Sequence, residues 1–324
     1  MRRFLLSIAL IIFPVLVFWG VVRLDQPGMP PLRVGTNVWP GYEPLYLARS
    51  MGLYRDQDIH LVELHSATDV LHLFRNGELD AAALTLDEAL TLLQDQYDLR
   101  VILVMDVSAG GDMLLARSGI SALPQLRGKT IGVEHTGVGA ILLDGALAAA
   151  GLTLDDINLQ RLTVDQHHQA FLQGQVDAVV TFDPVATYLI QEGARKLFDS
   201  SRIPGRIVDV LVVRKEVIEP NQAVLEKLLH GYFQAVQFLK ATPQEAVSRM
   251  QGRLGLSEKA ILQSYQGMKL PSLQENRYYL TGAPSPLQTR ARELADLMLK
   301  NELLDHPLRF SQLTDPRFLP RKIP

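Results

Sequence analysis

Short apolar runs of strand length alternate with segments of helical period in the first part of the chain. Strands are predicted at residues 32–37, 59–64, 81–84 and 100–105. Helices are predicted between them at residues 44–51, 70–76 and 88–94. Strands that alternate with helices in this way indicate a parallel sheet covered by helices.

The same plan returns further along the chain. The sequence FRNGELDA at residues 74–81 recurs 97 residues later as FLQGQVDA at residues 171–178. The second copy has predicted strands at 129–133, 159–163 and 176–181, and predicted helices at 137–150, 166–172 and 184–191. Solenoid repeats have periods of about 20 to 50 residues, so this longer period predicts two similar α/β lobes.

An apolar strand at residues 207–214 is predicted to return from the second lobe to the first. After it come predicted helices at 222–240, 243–250, 257–266 and 287–300, and a surface extension at 308–324. The predicted fold class is therefore α/β, with two Rossmann-like lobes joined by two crossover segments that act as a hinge. The expected domains are lobe one at residues 32–106 and 208–324, and lobe two at residues 107–207.

The N-terminus carries the clearest signal for location. Arg2 and Arg3 precede an apolar run over residues 4–22, which is close to the length that spans a bilayer. No A-x-A-like cleavage site follows it. We therefore expect residues 1–24 to form an uncleaved signal anchor, a transmembrane helix in the inner membrane, with a linker at 25–31 and the bulk of the chain in the periplasm. Signal cleavage, which would release the chain into the periplasm, is the alternative.

The composition excludes several classes of function. The formal net charge is −3, so the chain lacks the basic surface expected of a nucleic-acid-binding protein. It has no cysteine, which excludes disulfides, thiolate metal sites and a cysteine nucleophile. The adjacent His167 and His168 point apart on a helix, and no HExxH, GxSxG or GxGxxG motif occurs. We therefore expect no catalytic residue, no metal site and no cofactor.

Two strand-to-helix loops contain the most informative candidate residues, because ligands of open parallel sheets bind beyond the carboxyl ends of the strands. The loop at residues 135–139, HTGVG, leads into a helix whose N-terminus favours an anionic group, although it lacks the Lys of a phosphate-binding loop. An ordinary capped helix start is the alternative. The aromatic rings of Trp39 and Tyr42, with Phe182 in the other lobe, would pack on a flat or apolar ligand, or else anchor their loops.

Acidic residues at these loops offer partners for an amine or amidine on a ligand. For Asp87 and Asp183 helix capping is the stronger alternative, Asp209 would otherwise stabilise a crossover, and Glu43 would otherwise be an early-turn helix charge. The candidate ligand-binding residues are Trp39, Gly41, Tyr42, Glu43, Ser66, Thr68, Thr85, Asp87, His135, Thr136, Gly137, Val138, Phe182, Asp183 and Asp209.

The segment RVGTNVWPGYEPLYLARSMGLY at residues 33–54 resembles the first strand and helix of the nitrate, sulfonate, taurine and thiamine-precursor group of ABC-transporter substrate-binding proteins. The similarity continues through residues 74–89, 126–133 and 171–186 and covers most of residues 32–240. It implies a type II periplasmic-binding-protein fold with two crossings, capture of a small solute by closure of the lobes, and delivery to a permease. Carried onto this chain, the ligand-contacting loops of that group fall on the loops reached above from the strand ends.

The leading hypothesis is a membrane-anchored, monomeric solute-binding protein whose partners are a small-molecule ligand, an ABC permease and an ATPase. A sulfonate, a taurine-like zwitterion or a pyrimidine would suit the predicted loops. One alternative is an enzyme of thiamine or menaquinone precursor synthesis on the same fold, which the predicted anchor argues against. The other is a sensor that reports ligand occupancy to a membrane signalling partner.

Overall fold

The computed structural model describes residues 30–134 and 137–323. The predicted anchor at residues 1–24 and most of the linker at 25–31 therefore lie outside the described residues. Within the described ranges, no helix combines the length and the apolar character needed to cross a bilayer.

The described residues form two mixed sheets. The strands are β1 (Leu32–Thr36), β2 (Ile59–Glu63), β3 (Ala81–Thr85), β4 (Leu99–Ser108), β5 (Met113–Ala116), β6 (Thr130–Val133), β7 (Asn158–Arg161), β8 (Ala178–Thr181), β9 (Arg195–Asp199), β10 (Val208–Arg214) and β11 (Met268–Lys269). The first sheet has the order β11-β4-β10-β3-β1-β2, and the second has the order β7-β6-β8-β5-β9. This is the two-lobe α/β architecture that the repeat predicts.

Helices cover the sheets and continue the chain beyond β10. They are α1 (Glu43–Ser50), α2 (Ala67–Arg75), α3 (Leu86–Gln94), α4 (Gly137–Ala150), α5 (Val164–Leu172), α6 (Val185–Gln191), α7 (Lys215–Ile218), α8 (Gln222–Ala241), α9 (Pro243–Leu254), α10 (Glu258–Ser264), α11 (Leu273–Leu280) and α12 (Pro286–Lys300). Several begin with a side-chain cap. Ser66, for example, accepts a hydrogen bond from the backbone N–H of Asp69 at the start of α2.

The chain passes between the sheets through two neighbouring strands. β4 leads out of the first sheet into β5 of the second, and β10 leads back from β9. β10 runs antiparallel to β4 and to β3, whereas β1 is parallel to both β2 and β3. Because β4 and β10 are paired, the two crossings lie side by side, and Asp106 and Asp209 occupy opposite positions in this pairing.

The apolar run at β10 is explained by burial on both faces of the first sheet. Val210 and Val212 pack in one hydrophobic cluster, whereas Leu211 and Val213 pack in the other. Successive side chains of a strand point to opposite faces, so a strand covered on both sides has no polar alternation.

The structure contains elements that the sequence pattern did not predict, namely β5, β9, β11, α7 and α11. β5 has only four residues, and β9 is an edge strand that exposes Arg195 and Lys196. The prediction of a surface extension at 308–324 is wrong for its middle part. There Leu313 and Thr314 are buried, and the backbone of residues 313 and 315 bonds to Val101 in β4.

Candidate functional site

A small cavity of about 20 Å³ lies where strand ends of the two sheets face each other. Its lining residues are Asn37, Trp39, Tyr42, Ala67, Thr85, Glu88, Asp112, Glu134, Val138, Phe182 and Asp209. Such a volume accommodates about one water molecule. A larger ligand would not fit unless the residues that line the cavity move apart.

Trp39 forms one wall of the cavity. Its indole Nε1 donates a hydrogen bond to Asp106 Oδ2 at 3.0 Å, and its ring meets Phe182 edge-on, with centroids 5.4 Å apart. Gly41 makes this arrangement possible, because a Cβ there would lie 1.9 Å from Asp106 Oδ2 and 2.4 Å from Trp39 Nε1. The sequence WPGY thus fixes the indole on a buried carboxylate beside the second lobe.

Tyr42 forms the adjoining wall and donates its hydroxyl to Asp209 Oδ1 at 2.6 Å. Asp209 lies opposite Asp106 in the β10–β4 pairing, and both side chains are buried. Burial and the charge of Asp106 raise the pKa of Asp209 well above its usual range. Burial also raises the pKa of Asp106. Two neighbouring buried carboxyls of this kind titrate as a pair rather than as independent groups.

Two further aspartates extend this acidic cluster. Burial raises the pKa of Asp112 to about 6, and burial and the charge of Asp112 raise the pKa of Asp87 to about 7. The Thr85 hydroxyl lies near the Asp87 carboxylate and opposes the rise in its pKa. The cluster therefore gathers several buried carboxyl groups in a small volume.

Glu134 joins the two lobes across the cavity. It follows β6, and its Oε1 accepts hydrogen bonds from the backbone N–H of Thr68 at 2.9 Å and from the Thr68 hydroxyl at 2.7 Å. Thr68 lies in the first turn of α2, where the helix dipole favours a negative charge. The carboxylate of one lobe thus occupies the helix N-terminus of the other.

The structure places six of the sequence candidates in the cavity lining. Those in the lining are Trp39, Tyr42, Thr85, Val138, Phe182 and Asp209. Gly41 and Asp87 lie directly behind them, Thr68 binds Glu134, and Ser66 caps α2. α4 begins at Gly137, whereas His135 and Thr136 lie outside the described residues.

Two acidic candidates have partners outside this lining. Glu43 Oε1 accepts a hydrogen bond from Arg253 Nε at 2.5 Å. Asp183 accepts bonds from the backbone N–H and hydroxyl of Thr187 in its own lobe and from Ser264 of α10. Asp183 also borders a wider groove of about 600 Å³ next to the cavity. Helix capping, the alternative to ligand binding, therefore describes the contacts of Asp183 well.

The candidate set did not include five lining residues: Asn37, Ala67, Glu88, Asp112 and Glu134. Asn37 ends one predicted strand and Glu134 directly follows another, so a stricter use of the strand-end rule would have found them. Asp112 precedes β5, which had no recognisable signal. Within the described ranges, no group of three or more His, Cys, Asp or Glu residues has the geometry to hold a metal ion.

The buried carboxyl groups of Asp106 and Asp209 predict an unusual pH dependence of stability. An Asp whose pKa is raised by folding stabilises the folded state below its unfolded pKa, about 3.9, and that contribution is lost as the pH rises through the folded value. Asp209→Asn removes this effect. We expect the variant to gain roughly 1–3 kcal/mol of unfolding free energy relative to the parent protein between pH 5 and pH 8, measured by urea denaturation. The exposed Asp296→Asn in α12 serves as the control, and parallel pH curves for Asp209→Asn and the parent protein would contradict the assignment.

Comparisons with known proteins identify relatives of this chain. Residues 25–251 match the model of the NMT1-like family. An Escherichia coli (strain K12) protein named for binding aliphatic sulfonates is 23% identical over 280 residues, which cover 84% of this chain and 85% of that protein. A Brucella abortus (strain 2308) protein named only as a binding protein is 26% identical over 140 residues, which span 42% of this chain and 44% of that protein.

Solved structures share the fold. The alkanesulfonate-binding protein SsuA of Xanthomonas axonopodis pv. citri, bound to MOPS, has a TM-score of 0.72 and 20% identity, covering 86% of this chain and 95% of that one. A ligand-binding component of a Staphylococcus aureus ABC-type import system, with zinc bound, has a TM-score of 0.75 and 14% identity, covering 90% and 98%. The match of the family model to more than half of the sequence establishes that the chain belongs to the NMT1-like family.

Proposed function

We propose that this protein captures a small organic solute between its two lobes and delivers it to an ABC-type import system. The observation that supports this proposal is the cavity at the strand ends, which is lined by aromatic and acidic side chains from both sheets. Binding-protein relatives named for aliphatic sulfonates and for ABC import support the same role. In this role the protein binds without chemical turnover, and its partners are a permease and an ATPase.

The proposed ligand site consists of the cavity lining together with the loop at residues 135–137. Lobe one would comprise residues 32–106 and 208–324, and lobe two residues 107–207. The strand pair β4–β10 would act as the hinge, because a few residues at such crossings absorb the rotation of lobes. Only contacts that a ligand makes with both lobes shift the balance toward closure. We further propose a monomer that is held at the inner membrane by residues 1–24 and faces the periplasm.

Native mass spectrometry of the full-length protein tests this proposal. We expect a small molecule to co-purify non-covalently with the parent protein and to be released unchanged on denaturation. Ala67→Trp fills the cavity and should abolish this adduct, because Ala67 is buried in the lining. Ala223→Trp, on the exposed face of α8, is the matched control and should keep it. An adduct that survives Ala67→Trp, or a bound molecule that the protein converts chemically, would contradict the proposal.

A further inference from the structure

Asp106 is an acidic residue that lies behind the cavity, at the first crossing between the two sheets. It belongs to β4, close to the point where this strand leaves the first sheet, and 0% of the residue is exposed. It is not among the described residues that line the cavity. Burial removes the hydration of a carboxylate, and replacement of buried charges by apolar residues is often neutral or stabilising. The stability of the fold therefore does not account for an acid at this position.

The side chain of Asp106 instead bonds to a wall of the cavity. Its Oδ2 accepts a hydrogen bond at 3.0 Å from Nε1 of Trp39, a residue 67 positions earlier that is 4% exposed and lines the cavity. An indole has a single donor, and a buried indole usually finds an acceptor for it. Hydrogen bonds to an ionised acceptor are shorter and stronger than neutral ones. Asp106 is therefore well suited to fix the orientation of the indole.

Backbone packs closely against the indole at two of its edges. A Cβ on Gly41 would lie 2.4 Å from Trp39 Nε1, and a Cβ on Gly111 would lie 2.7 Å from Trp39 Cη2. Gly111 lies between β4 and β5, and its N–H donates to the carbonyl of Gly267 at 2.9 Å. The first crossing thus contributes both the acceptor for the indole and part of the surface on which the ring lies.

The same indole contacts the second lobe. Phe182, which directly follows β8, meets it at a centroid distance of 5.4 Å and an interplanar angle of 83°. The energy of such an aromatic pair depends on its geometry, and binding walls work only when the surrounding residues hold them within about 0.5 Å of the required position. A rotation of the indole would therefore change both the cavity wall and the contact between the lobes.

We infer that Asp106 is a positioning residue for solute binding: it holds the Trp39 indole in the orientation that the solute contacts, and it does not itself touch the solute. This inference rests on the proposed function and adds to it a residue outside the cavity lining. Because Asp106 lies in β4, its hydrogen bond also connects the wall of the site to the strand pair β4–β10, the proposed hinge.

The orientation of the indole can be observed without any solute. The sequence has two tryptophans, Trp19 and Trp39, so the full-length Trp19→Phe protein reports the fluorescence of Trp39 alone. We expect Asp106→Leu to raise the acrylamide quenching constant at least about twofold, because the indole loses its acceptor. Asp106→Asn keeps an oxygen acceptor and should stay close to the Trp19→Phe protein.

The effect on binding is measured with the solute that co-purifies with the parent protein, released by denaturation and titrated back by calorimetry. We expect Asp106→Leu to weaken binding at least about tenfold and Asp106→Asn less than about threefold, because preorganised walls bind more tightly than mobile ones. In a Trp39→Phe background, Asp106→Leu should add less than about a threefold loss, since no N–H remains for it to orient.

Gly111→Ala disturbs the indole from its other edge without altering Asp106, and it keeps the inference testable if Asp106→Leu does not fold. We expect it to raise the quenching constant and to weaken solute binding, as Asp106→Leu does. Gly252→Ala is the matched control, because Gly252 is exposed in α9 and a Cβ there would meet open space. It should leave both measurements unchanged.

The outcomes separate the inference from the proposed function. Quenching and affinity that change together and are restored by Asp106→Asn support the inference. Unchanged affinity in Asp106→Leu, no rescue by Asp106→Asn, or equal losses from Asp106→Leu with and without the Trp39 indole would overturn it while leaving solute capture intact. Absence of any co-purified solute in the parent protein would overturn the proposed function itself.

Discussion

Replacement of Arg253 by alanine is expected to lower the free energy of unfolding by about 3–5 kcal/mol. The guanidinium group is 11% exposed and pairs with Glu43, whose side chain is 1% exposed. It also bonds to Glu63 and lies 3.5 Å from the centroid of the Tyr46 ring. Removal of Arg253 leaves the Glu43 carboxylate buried without its cation, and this uncompensated buried charge causes most of the expected loss of stability.

The pKa of Glu43 gives this prediction a pH signature. Burial raises the pKa of Glu43 to about 7, although Arg253 opposes the rise. Without Arg253 the carboxyl group will take up a proton more readily, so the loss of stability should be smaller at pH 5 than at pH 8. Urea denaturation at both pH values measures the difference. The double variant Arg253→Met with Glu43→Gln removes both charges and should recover most of the loss, whereas a loss below about 1 kcal/mol for Arg253→Ala at pH 8 would show that the ion pair contributes little.

This ion pair also shows why Glu43 was hard to interpret from the sequence. The residue follows an aromatic loop at a strand end, which made it a candidate for ligand binding. Its partner lies 210 positions later in α9. Periodicity and local motifs carry no information about a contact at that separation, so the sequence could not distinguish a ligand contact from an internal pair.

The fold was predictable wherever the spacing of apolar residues along the sequence matches the residues that are buried in the structure. β1, β3 and β10 are apolar because helices cover their sheet, and the repeat at residues 74–81 and 171–178 revealed two lobes of the same plan. β5 and β9 escaped prediction for opposite reasons. β5 is too short to show a period, and the exposed edge strand β9 carries charged residues that a buried strand would not tolerate.

The site was predictable as far as the strand-end rule reaches. That rule found Trp39, Tyr42 and Phe182, which line one cavity although they come from both lobes. It could not find the role of Glu134, because Glu134 contacts Thr68, a residue 66 positions earlier in the chain. Cross-lobe geometry, rather than local sequence, determines which polar groups remain available to a ligand.

Trp39→Ala is expected to weaken binding of the co-purified solute by at least tenfold, or about 1.4 kcal/mol, as measured by calorimetry. The indole forms a wall of the cavity and contacts Phe182 of the other lobe, so its loss removes ligand contact and part of the closed-state packing. The same change leaves Asp106 without its 3.0 Å hydrogen bond. We expect the free energy of unfolding to fall by about 3 kcal/mol as well, the lower end for a buried Trp reduced to Ala.

Two variants separate the effect on binding from the effect on stability. Phe74→Ala removes a fully buried ring from the core of lobe one, away from the cavity lining, and should reduce stability by a similar amount while preserving affinity. Trp39→Phe keeps an aromatic wall but has no N–H for Asp106, so its affinity should fall between those of the parent protein and Trp39→Ala. Unchanged affinity in Trp39→Ala would remove Trp39 from the binding site. Equal losses of affinity in Trp39→Ala and Phe74→Ala would mean that the indole acts through stability alone.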